Sequence, residues 1–456
     1  MNLKHLYAVL LYVLPAIVLL AACDHDAPEE ESPLPEGKGE LIVGLQTDGD
    51  LPAQDAHFFV FNTTGELVHH EYFDNPDMAA LHVSYLVPGT YTAVAVLNAG
   101  ADSMPPSGRA ESSLPDVTLP AFSEWLKTIS SKYPGLQTGM GSVEVEQGEV
   151  ARITITLKSG TGGIPFSTLR LQLTLPQPQL PDYVSDPKSR AAEEGYRVRC
   201  ILELCQTETD KVIMHRKITP SPQPDGTYLV ELEAIPYTYH LRLWTDYART
   251  EAPLADTYYH TESLKNVAIV ATPSAADTDA KDAAYHAENV TLPEAGVTLA
   301  VQMQRPLAKY RLIANDVDAY RTLTEIEPDK YPPLEELVAT VQYEGYFPSE
   351  FNVTTGKPVN SITGSGFTAS LAPVTDTSEE VQLASDWVLT DAEGSFVRLT
   401  LSIADRKGRE VTRVTGIRAD YRQGQLTTLR GDFLTAGRKG GGITIDTDWK
   451  DIIVEF

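Results

Sequence analysis

Apolar and polar residues alternate along most of the chain between Gly39 and Phe456. A period of two is typical of a β-strand with one buried face and one solvated face, whereas a helix has a period near 3.6. The pattern therefore predicts many short strands. The clearest runs are Leu41, Val43 and Leu45; Ile153, Ile155 and Leu157; Leu169, Leu171, Leu173 and Leu175; and Val397, Leu399, Leu401 and Ile403.

Turn residues separate these runs, as at Thr64-Gly65, Asp225-Gly226, Glu393-Gly394 and Lys407-Gly408. Short strands punctuated in this way are typical of β-sandwiches. We therefore predict an all-β chain built of tandem sandwich domains.

One helix is predicted in the first domain, in the segment AFSEWLKTISS that follows Pro120. Its apolar residues Phe122, Trp125, Leu126 and Ile129 have the i, i+3, i+4, i+7 spacing of a single helix face. We expect this helix to pack over the end of the first sandwich; a partner-binding helix is the alternative.

Two segments repeat one pattern. Residues 87–98 (VPGTYTAVAVLN) and 235–246 (IPYTYHLRLWTD) align without gaps, and each follows a predicted pair of strands joined by a polar turn. The same supersecondary unit is therefore predicted to occur twice.

The chain begins with a short polar head, Lys4 and His5, and an apolar body from Leu6 to Leu20. This body is shorter than the roughly 20 residues of a membrane span, and it fits an export signal. Leu20, Ala21 and Ala22 precede Cys23 and resemble a bacterial lipobox, in which signal peptidase recognises the first three residues and the cysteine is acylated. A plain signal peptide or an uncleaved anchor helix are the alternatives.

Five acidic residues follow within the next eight positions and predict a solvated tether: Asp24, Asp26, Glu29, Glu30 and Glu31. Such an acidic start also resembles the surface-export tags of Bacteroidetes lipoproteins. Acyl chains contribute about 0.8 kcal/mol per buried CH₂, so two or more anchor a protein stably. We expect an outer-membrane lipoprotein, exposed at the cell surface and attached by palmitate-type chains.

Changes in composition predict the domain boundaries. A glycine-rich joint lies at 159–165, the second block ends at 304–306, and a polar loop or flap spans 176–195. The predicted parts are a signal peptide at 1–22, an acidic tether at 23–37, and β-sandwich domains at 38–160, 164–305 and 306–456.

The formal net charge of −27 argues against nucleic acid and anionic membrane surfaces as partners. Cys23 is the lipidation candidate among three cysteines. Cys200 and Cys205 lie about 16 Å apart along one predicted strand, too far for a disulfide, and on opposite faces. We expect Cys200 to be a core residue and Cys205 to be a surface thiol.

No catalytic motif stands in the chain: it has no nucleophile elbow, P-loop, dinucleotide fingerprint or HExxH. His69 and His70 are adjacent on a predicted strand, so they point to opposite faces. The acidic segments 277–282 and 446–451 could hold calcium, but solvated loop carboxylates are the preferred interpretation. We expect no enzymatic activity, no cofactor and no metal.

Two further patterns have ordinary structural interpretations. Asn62, Asn289 and Asn352 stand in Asn-X-Thr sequons, and in a bacterial protein we interpret them as turn residues. The Tyr258-Tyr259 pair could stack on sugars, but we expect one ring to point inward and one outward.

The C-terminal half resembles the type V fimbrial subunit and anchor lipoproteins of Bacteroidetes, the fimbrillin-like family. The resemblance covers roughly residues 165–456 and lies in the order and spacing of strands and turns; the first domain shares only the lipoprotein start and the Pro-Gly-Thr-Tyr strand. It is carried by YEGYFPSEFNVTTGKP (343–358), EEVQLASDWVLTDAEGSFVRLTLSIAD (379–405), YRQGQLTTLRGDFLT (421–435), GGITIDTDW (441–449), YRLIAND (310–316) and LRLWTDY (241–247). It implies transthyretin-like β-sandwiches, outer-membrane transport and assembly by strand exchange, in which a neighbour's strand pairs with an open sheet edge.

The family divides into stalk subunits, which lose an N-terminal strand by cleavage after a basic residue, and anchor subunits, which keep their lipid. Here the strand at 40–47 is followed by no Lys or Arg until Arg109, although cleavage at Arg152, Arg170 or Arg190 would make the first domain a removable pro-domain. We therefore expect a non-catalytic anchor or accessory subunit. Its partners would be fimbrial subunits and the outer membrane, with Leu41, Val43 and Leu45 as partner-strand candidates. The alternative is a glycan-binding outer-membrane lipoprotein of a polysaccharide-uptake system.

Overall fold

The computed structural model describes residues 34–47, 53–74, 76, 81–105, 117–176, 195–270 and 278–436. The chain forms two compact units, Met1–Ile164 and Pro165–Phe456. Strands dominate both units, which confirms the predicted all-β class. The lipobox residues Leu20 to Cys23 and most of the predicted flap at 176–195 lie outside the described residues.

The first unit is one sheet with the strand order β3-β2-β5-β6-β7-β1-β4. β6 joins β7 through only two residue pairs, Gln137 with Ser159 and Thr138 with Lys158, so the sheet has a four-stranded part and a three-stranded part. Its strands are β1 (Gly39–Thr47), β2 (Asp55–Phe61), β3 (Leu67–Asp74), β4 (Leu81–Leu86), β5 (Gly89–Leu97), β6 (Gln137–Val145) and β7 (Val150–Ser159).

The predicted helix is confirmed as α1 (Leu119–Ser130), with a proline in its first turn, where the missing N–H costs no hydrogen bond. Its residue Phe122 is fully buried. The Phe122 ring lies 4.5 Å from that of Phe59 and 5.4 Å from that of Phe61, measured between centroids. α1 thus covers one face of β2, while Phe58 and Val60 belong to the core on the other face.

The second unit holds the remaining strands in five sheets. The sheet orders are β10-β9-β13-β16, β11-β12-β8-β17, β14-β15-β20-β21, β23-β18-β26 and β22-β19-β24-β25. The strands are β8 (Ser167–Thr174), β9 (Tyr196–Gln206), β10 (Val212–Ile218), β11 (Ser221–Pro222), β12 (Tyr228–Ala234), β13 (Tyr237–Arg249), β14 (Tyr259–His260), β15 (Val267–Ile269), β16 (Ala284–Leu292), β17 (Val297–Gln302), β18 (Leu307–Ala314), β19 (Leu337–Tyr343), β20 (Tyr346–Asn352), β21 (Lys357–Thr363), β22 (Gly366–Ser370), β23 (Val381–Leu389), β24 (Ser395–Asp405), β25 (Glu410–Tyr421) and β26 (Leu426–Gly431).

One seven-stranded topology occurs three times. In each copy the first strand pairs antiparallel with the fourth and parallel with the last, as β1 does with β4 and β7. The same relations join β8 to β12 and β17, and β18 to β23 and β26. The third, second, fifth and sixth strands form the other half: β3-β2-β5-β6, β10-β9-β13-β16 and β22-β19-β24-β25.

The repeat seen in the sequence lies on equivalent strands, β5 and β13. In both, a buried tyrosine donates its hydroxyl to the carbonyl oxygen four residues earlier: Tyr91 to Val87 at 2.7 Å and Tyr239 to Ile235 at 2.9 Å. This bond ties the start of the strand to the chain that enters it. The structure therefore confirms the predicted repeat and explains why a tyrosine occurs at the same place in both segments.

Two insertions build the remaining sheet. β14 and β15 lie between β13 and β16 of the second copy, and β20 and β21 lie between β19 and β22 of the third; β15 pairs with β20. Ile201, Trp244, Phe351 and Trp387 belong to one buried cluster at this place. Residues on both sides of the predicted boundary at 305/306 thus share a sheet and a core, and the division itself stays a prediction.

A second helix, α2 (Val317–Ile326), was not predicted. Its buried residues Val317, Tyr320 and Leu323 have helical spacing, but over only ten residues. Two short 3₁₀ helices, Asp279–Lys281 and Leu334–Glu336, complete the described elements.

Candidate functional site

The N-terminal strand β1 is an internal strand of the first unit. It pairs with β7 from Glu40 to Thr47 and with β4 from Gly39 to Val43. Leu41 and Val43 are fully buried and Leu45 is 8% exposed. These three side chains enter a core that also contains Phe58, Ala95 and Leu157. Loss of β1 would therefore expose an apolar groove and two unpaired strand edges.

Gly39 fixes the start of this strand. A Cβ atom on Gly39 would lie 2.1 Å from the carbonyl oxygen of Glu146 and 2.7 Å from Cγ1 of Val145. The main chain of Gly148 also donates a hydrogen bond to the carbonyl oxygen of Lys38, at 2.9 Å. β1 is therefore held at its first residue by a close backbone approach that only glycine permits.

Two of the three arginines considered above as cleavage sites lie in paired strands. Arg152 is in β7, opposite Ile42 of β1, and Arg170 is in β8, opposite Glu231 of β12. A protease needs an extended, unpaired segment, so the folded sheets protect both peptide bonds. Arg190 lies outside the described residues.

The sheet of the first unit ends at β3 on one side and at β4 on the other. β3 carries His69, His70, Glu71 and Asp74, and polar or charged side chains at an edge discourage strand addition. β4 is next to β1 and carries Tyr85, which is 38% exposed. β4 is the better candidate for pairing with a partner strand.

Two histidines pack together beside the β3 edge. Nε2 of His57 donates to the carbonyl oxygen of Gly100 at 2.8 Å, and Nδ1 of the same ring lies 3.1 Å from Nε2 of His70. The His70 ring also stacks on Phe59, with 4.6 Å between centroids. Burial, and then the nearby imidazoles of His57 and His69, lower the pKa of His70 to about 4.

This pair predicts that the first unit loses stability in mild acid. His70 stays neutral in the folded state down to about pH 4, whereas the unfolded chain binds a proton near pH 6.5. Stability therefore falls as the pH drops from 7.5 to 5.0, by about 1 kcal/mol after allowance for partial exposure. His70→Gln should reduce the difference between the unfolding temperatures at these two pH values.

His260→Gln, at a histidine whose side chain is 62% exposed, is the matched control for calorimetry of the full chain. Equal pH dependence in the wild type and in His70→Gln would contradict the assignment.

A buried charged layer lies on the outer face of β9 and β13 in the second unit. Arg199, Ile201, Glu203 and Cys205 share this face of β9, and their cross-strand partners on β13 include Asp246, Trp244 and Arg242. The alternation of apolar and polar residues alone predicts that this face is exposed to solvent. The insertion strands cover it instead, which explains why Arg199, Glu203 and Arg242 are each no more than 1% exposed.

Arg199 is held by two carboxylates. Its Nε and Nη2 donate to the two oxygens of Asp246 at 2.8 and 2.6 Å, and its Nη1 donates to Asp256 at 2.6 Å. Asp256 also accepts from Lys217 at 3.0 Å. Burial alone would raise the pKa of Asp256, but Arg199, Lys217 and the Thr261 donors outweigh it and lower the pKa to about 2.

Arg242 joins the second copy to the insertion of the third. Its Nη1 donates to Glu203 at 3.0 Å, its Nη2 to Asp210, and its Nε to the Thr354 hydroxyl at 2.6 Å. Glu203 also accepts from the main chain of Leu264 at 3.0 Å. Burial alone would raise the pKa of Glu203, but its hydrogen bonds, including that from Arg242, lower it. This layer holds the second unit together by charge-assisted hydrogen bonds.

The cysteines and sequons correct two expectations. Cys200 and Cys205 are free, and both are buried, so the prediction of a surface thiol at Cys205 is wrong: the insertion sheet covers that face. Asn62 and Asn352 accept main-chain hydrogen bonds in turns, as predicted. Asn289 instead lies inside β16 and contacts His240.

In the acidic segment and in the tyrosine pair, side chains expected to be solvated have hydrogen-bond partners within the protein. Asp282 accepts from Nε and Nη2 of Arg305, both at 2.7 Å, so it is ion-paired rather than solvated. Tyr259 is buried as expected, but Tyr258 is half-buried and hydrogen-bonds to Tyr196 at 2.8 Å instead of facing water freely. The segment at 446–451 lies outside the described residues.

Within the described ranges, no group of three or more His, Cys, Asp or Glu residues is arranged to hold a metal ion. Over the same ranges, the helices are too short or too polar to cross a bilayer.

The fold defines an all-β protein of repeated seven-stranded sandwiches. Residues 165–455 match the model of DUF6562, a family of unknown function, and the protein belongs to this family. No curated protein matches the chain.

Solved structures with some similarity include proteins of Bacteroides and Parabacteroides species. A proposed adhesin from Bacteroides ovatus is 10% identical, covers 58% of this chain and 87% of its own, and gives a TM-score of 0.33. A fimbrial assembly protein from Parabacteroides distasonis is 11% identical, with coverage of 58% and 90% and a TM-score of 0.30. A proposed polysaccharide-binding protein from Bacteroides thetaiotaomicron is 11% identical, with coverage of 58% and 90% and a TM-score of 0.34. These similarities are too distant to carry an argument.

Proposed function

We propose that this protein is a cell-surface lipoprotein that acts as a fimbrial anchor or accessory subunit. It is tethered to the outer membrane through acylated Cys23, is non-catalytic, and assembles with fimbrial subunits by β-strand addition. The observation that carries the proposal is β1, an internal strand with no basic residue between it and Arg109. A stalk subunit must lose such a strand, whereas an anchor keeps it.

Three further observations support this role. The sequence Leu20-Ala21-Ala22-Cys23 supplies a lipidation signal, and the acidic residues after it supply a tether. Arg152 and Arg170 are protected in paired strands. The β4 edge offers main-chain donors and acceptors to a partner strand beside β1.

Intact-mass spectrometry of protein purified from outer membranes tests the proposal. We expect a mature chain that begins at acylated Cys23 and retains β1. In Cys23→Ala, incorporation of a palmitate analogue should fall to background, because acylation is the only membrane anchor that we assign.

Cys205→Ala is the matched control, since its buried thiol is not a lipidation candidate. Label retained in Cys23→Ala would contradict the lipobox. A mature form that starts after Arg152, Arg170 or Arg190 would instead indicate a polymerising subunit and end the anchor assignment. Protection of the protein from protease added to intact cells would indicate that it faces the periplasm.

A further inference from the structure

The third copy carries an exposed aromatic surface that the proposed function does not use. Tyr346 on β20 is 78% exposed, Val359 on β21 is 48% exposed and Phe396 on β24 is 41% exposed. These side chains line two adjoining clefts of about 460 and 570 Å³, which share Ser395, Phe396 and Tyr421. Together, the two clefts form what we call the aromatic cleft.

The geometry around Phe396 is organised by an ion pair. The guanidinium of Arg418 lies 4.0 Å from the centre of the Phe396 ring. Its Nη2 also donates to Asp420 at 2.8 Å, and its Nε at 3.1 Å. Arg418 is therefore held by both the ring and the carboxylate, and the polar rim of the cleft is fixed before any ligand binds.

The carboxylates of the aromatic cleft are ion-paired. Asp420 pairs with Arg418 at 2.8 Å and Glu393 lies 3.6 Å from Lys357, while the whole chain has a formal net charge of −27. The excess of negative charge disfavours an anionic ligand. Because Asp420 and Glu393 each already have a cationic partner, the aromatic cleft offers no unpaired carboxylate to a cationic ligand. A neutral ligand fits this surface best.

A partner strand fits the surrounding edges poorly. β21, at the edge of its sheet, contains Pro358, which has no main-chain N–H to donate. β25, at the edge of the neighbouring sheet, is interrupted by a bulge and carries Glu410, Arg413 and Arg418. Charges and bulges at an edge oppose strand addition.

We propose that the aromatic cleft binds a neutral carbohydrate, with the Tyr346 ring stacking on the apolar C–H face of a sugar. The hydroxyl and amide groups of Asn360, Ser361, Gln425 and Thr427 line the same clefts and are suited to sugar hydroxyls. A sugar ring combines an apolar face with a rim of donors and acceptors. The aromatic cleft has the complementary arrangement.

Isothermal titration calorimetry on the purified full chain tests this inference. The ligands are neutral hexasaccharides of glucose, mannose and xylose, and neutral mucin O-glycans. We expect at least one to bind in the millimolar range or tighter. Tyr346→Ala should weaken that binding by about tenfold or more, because it removes the stacking ring, whereas Tyr346→Phe should retain it.

Tyr72→Ala, at an exposed ring of the first unit, is the matched control and should leave the affinity unchanged. Tyr346 is exposed, so an unchanged melting temperature of the second unit excludes misfolding as the cause. Absence of binding to every neutral glycan up to 10 mM, binding that Tyr346→Ala does not weaken, or binding to polygalacturonate alone would each overturn the inference. The test does not depend on lipidation, so it is independent of the anchor assignment.

Discussion

Val43→Asp is expected to unfold the first unit while the second unit stays folded. Val43 is fully buried, and its main chain lies between Leu81 of β4 and Ile153 of β7. An unpaired carboxylate in such a core costs several kcal/mol, in addition to the lost packing. The whole stability of a domain is about 5–15 kcal/mol, so the folded fraction of the first unit should collapse.

Hydrogen exchange followed by mass spectrometry can read the two units separately in the full chain. We expect loss of protection in β1, β2 and β5 and unchanged protection in β9 and β13. Gln46→Asp is the matched control, because it adds the same charge to an exposed position of the same strand. Unaltered protection of the first unit in Val43→Asp would show that β1 does not complete its core, and would remove the reason to expect its retention in an anchor.

Arg242→Met is expected to destabilise the second unit by about 3–5 kcal/mol. The guanidinium is fully buried and donates to Glu203, Asp210 and Thr354. Methionine retains much of the volume but removes the guanidinium paired with Glu203, whose side chain is 1% exposed and which then keeps only its contacts with Leu264 and His215. The penalty comes from a buried carboxylate that has lost its charge-assisted partner more than from the lost attraction itself.

Urea unfolding in a Trp125→Phe background, followed by tryptophan fluorescence, measures this effect, because the three remaining tryptophans belong to the second unit. Arg170→Met is the matched control, since Arg170 and Glu231 form an ion pair with both side chains about half exposed and should contribute at most about 1 kcal/mol. Adding Glu203→Met to Arg242→Met should recover part of the loss. Equal unfolding midpoints for the two arginine variants would contradict a structural role for the charged layer.

The sequence determined which residues share a face of each strand. Side chains alternate by geometry, so Leu41, Val43 and Leu45 had to lie on one side of β1, and the leucines of β8 on one side of that strand. It also determined α1, through four apolar residues at helical spacing after a proline. The shared Thr-Tyr pattern marked β5 and β13 as equivalent, because the tyrosine hydroxyl forms the same hydrogen bond at the start of both strands.

Only the tertiary structure decided what covers each face. Arg199, Glu203 and Cys205 alternate with Cys200, Leu202 and Leu204, a pattern that equally describes a solvated face, yet β15 and β20 arrive from distant insertions and bury them. Ile201 and Trp244, two large apolar residues on the same face, were the only features of the sequence pattern that indicated its burial. The short α2 buries only three residues over ten positions, too few to separate a helix from alternation. The parallel pairing of first and last strands joins residues over a hundred positions apart, and local periodicity carries no information about such contacts.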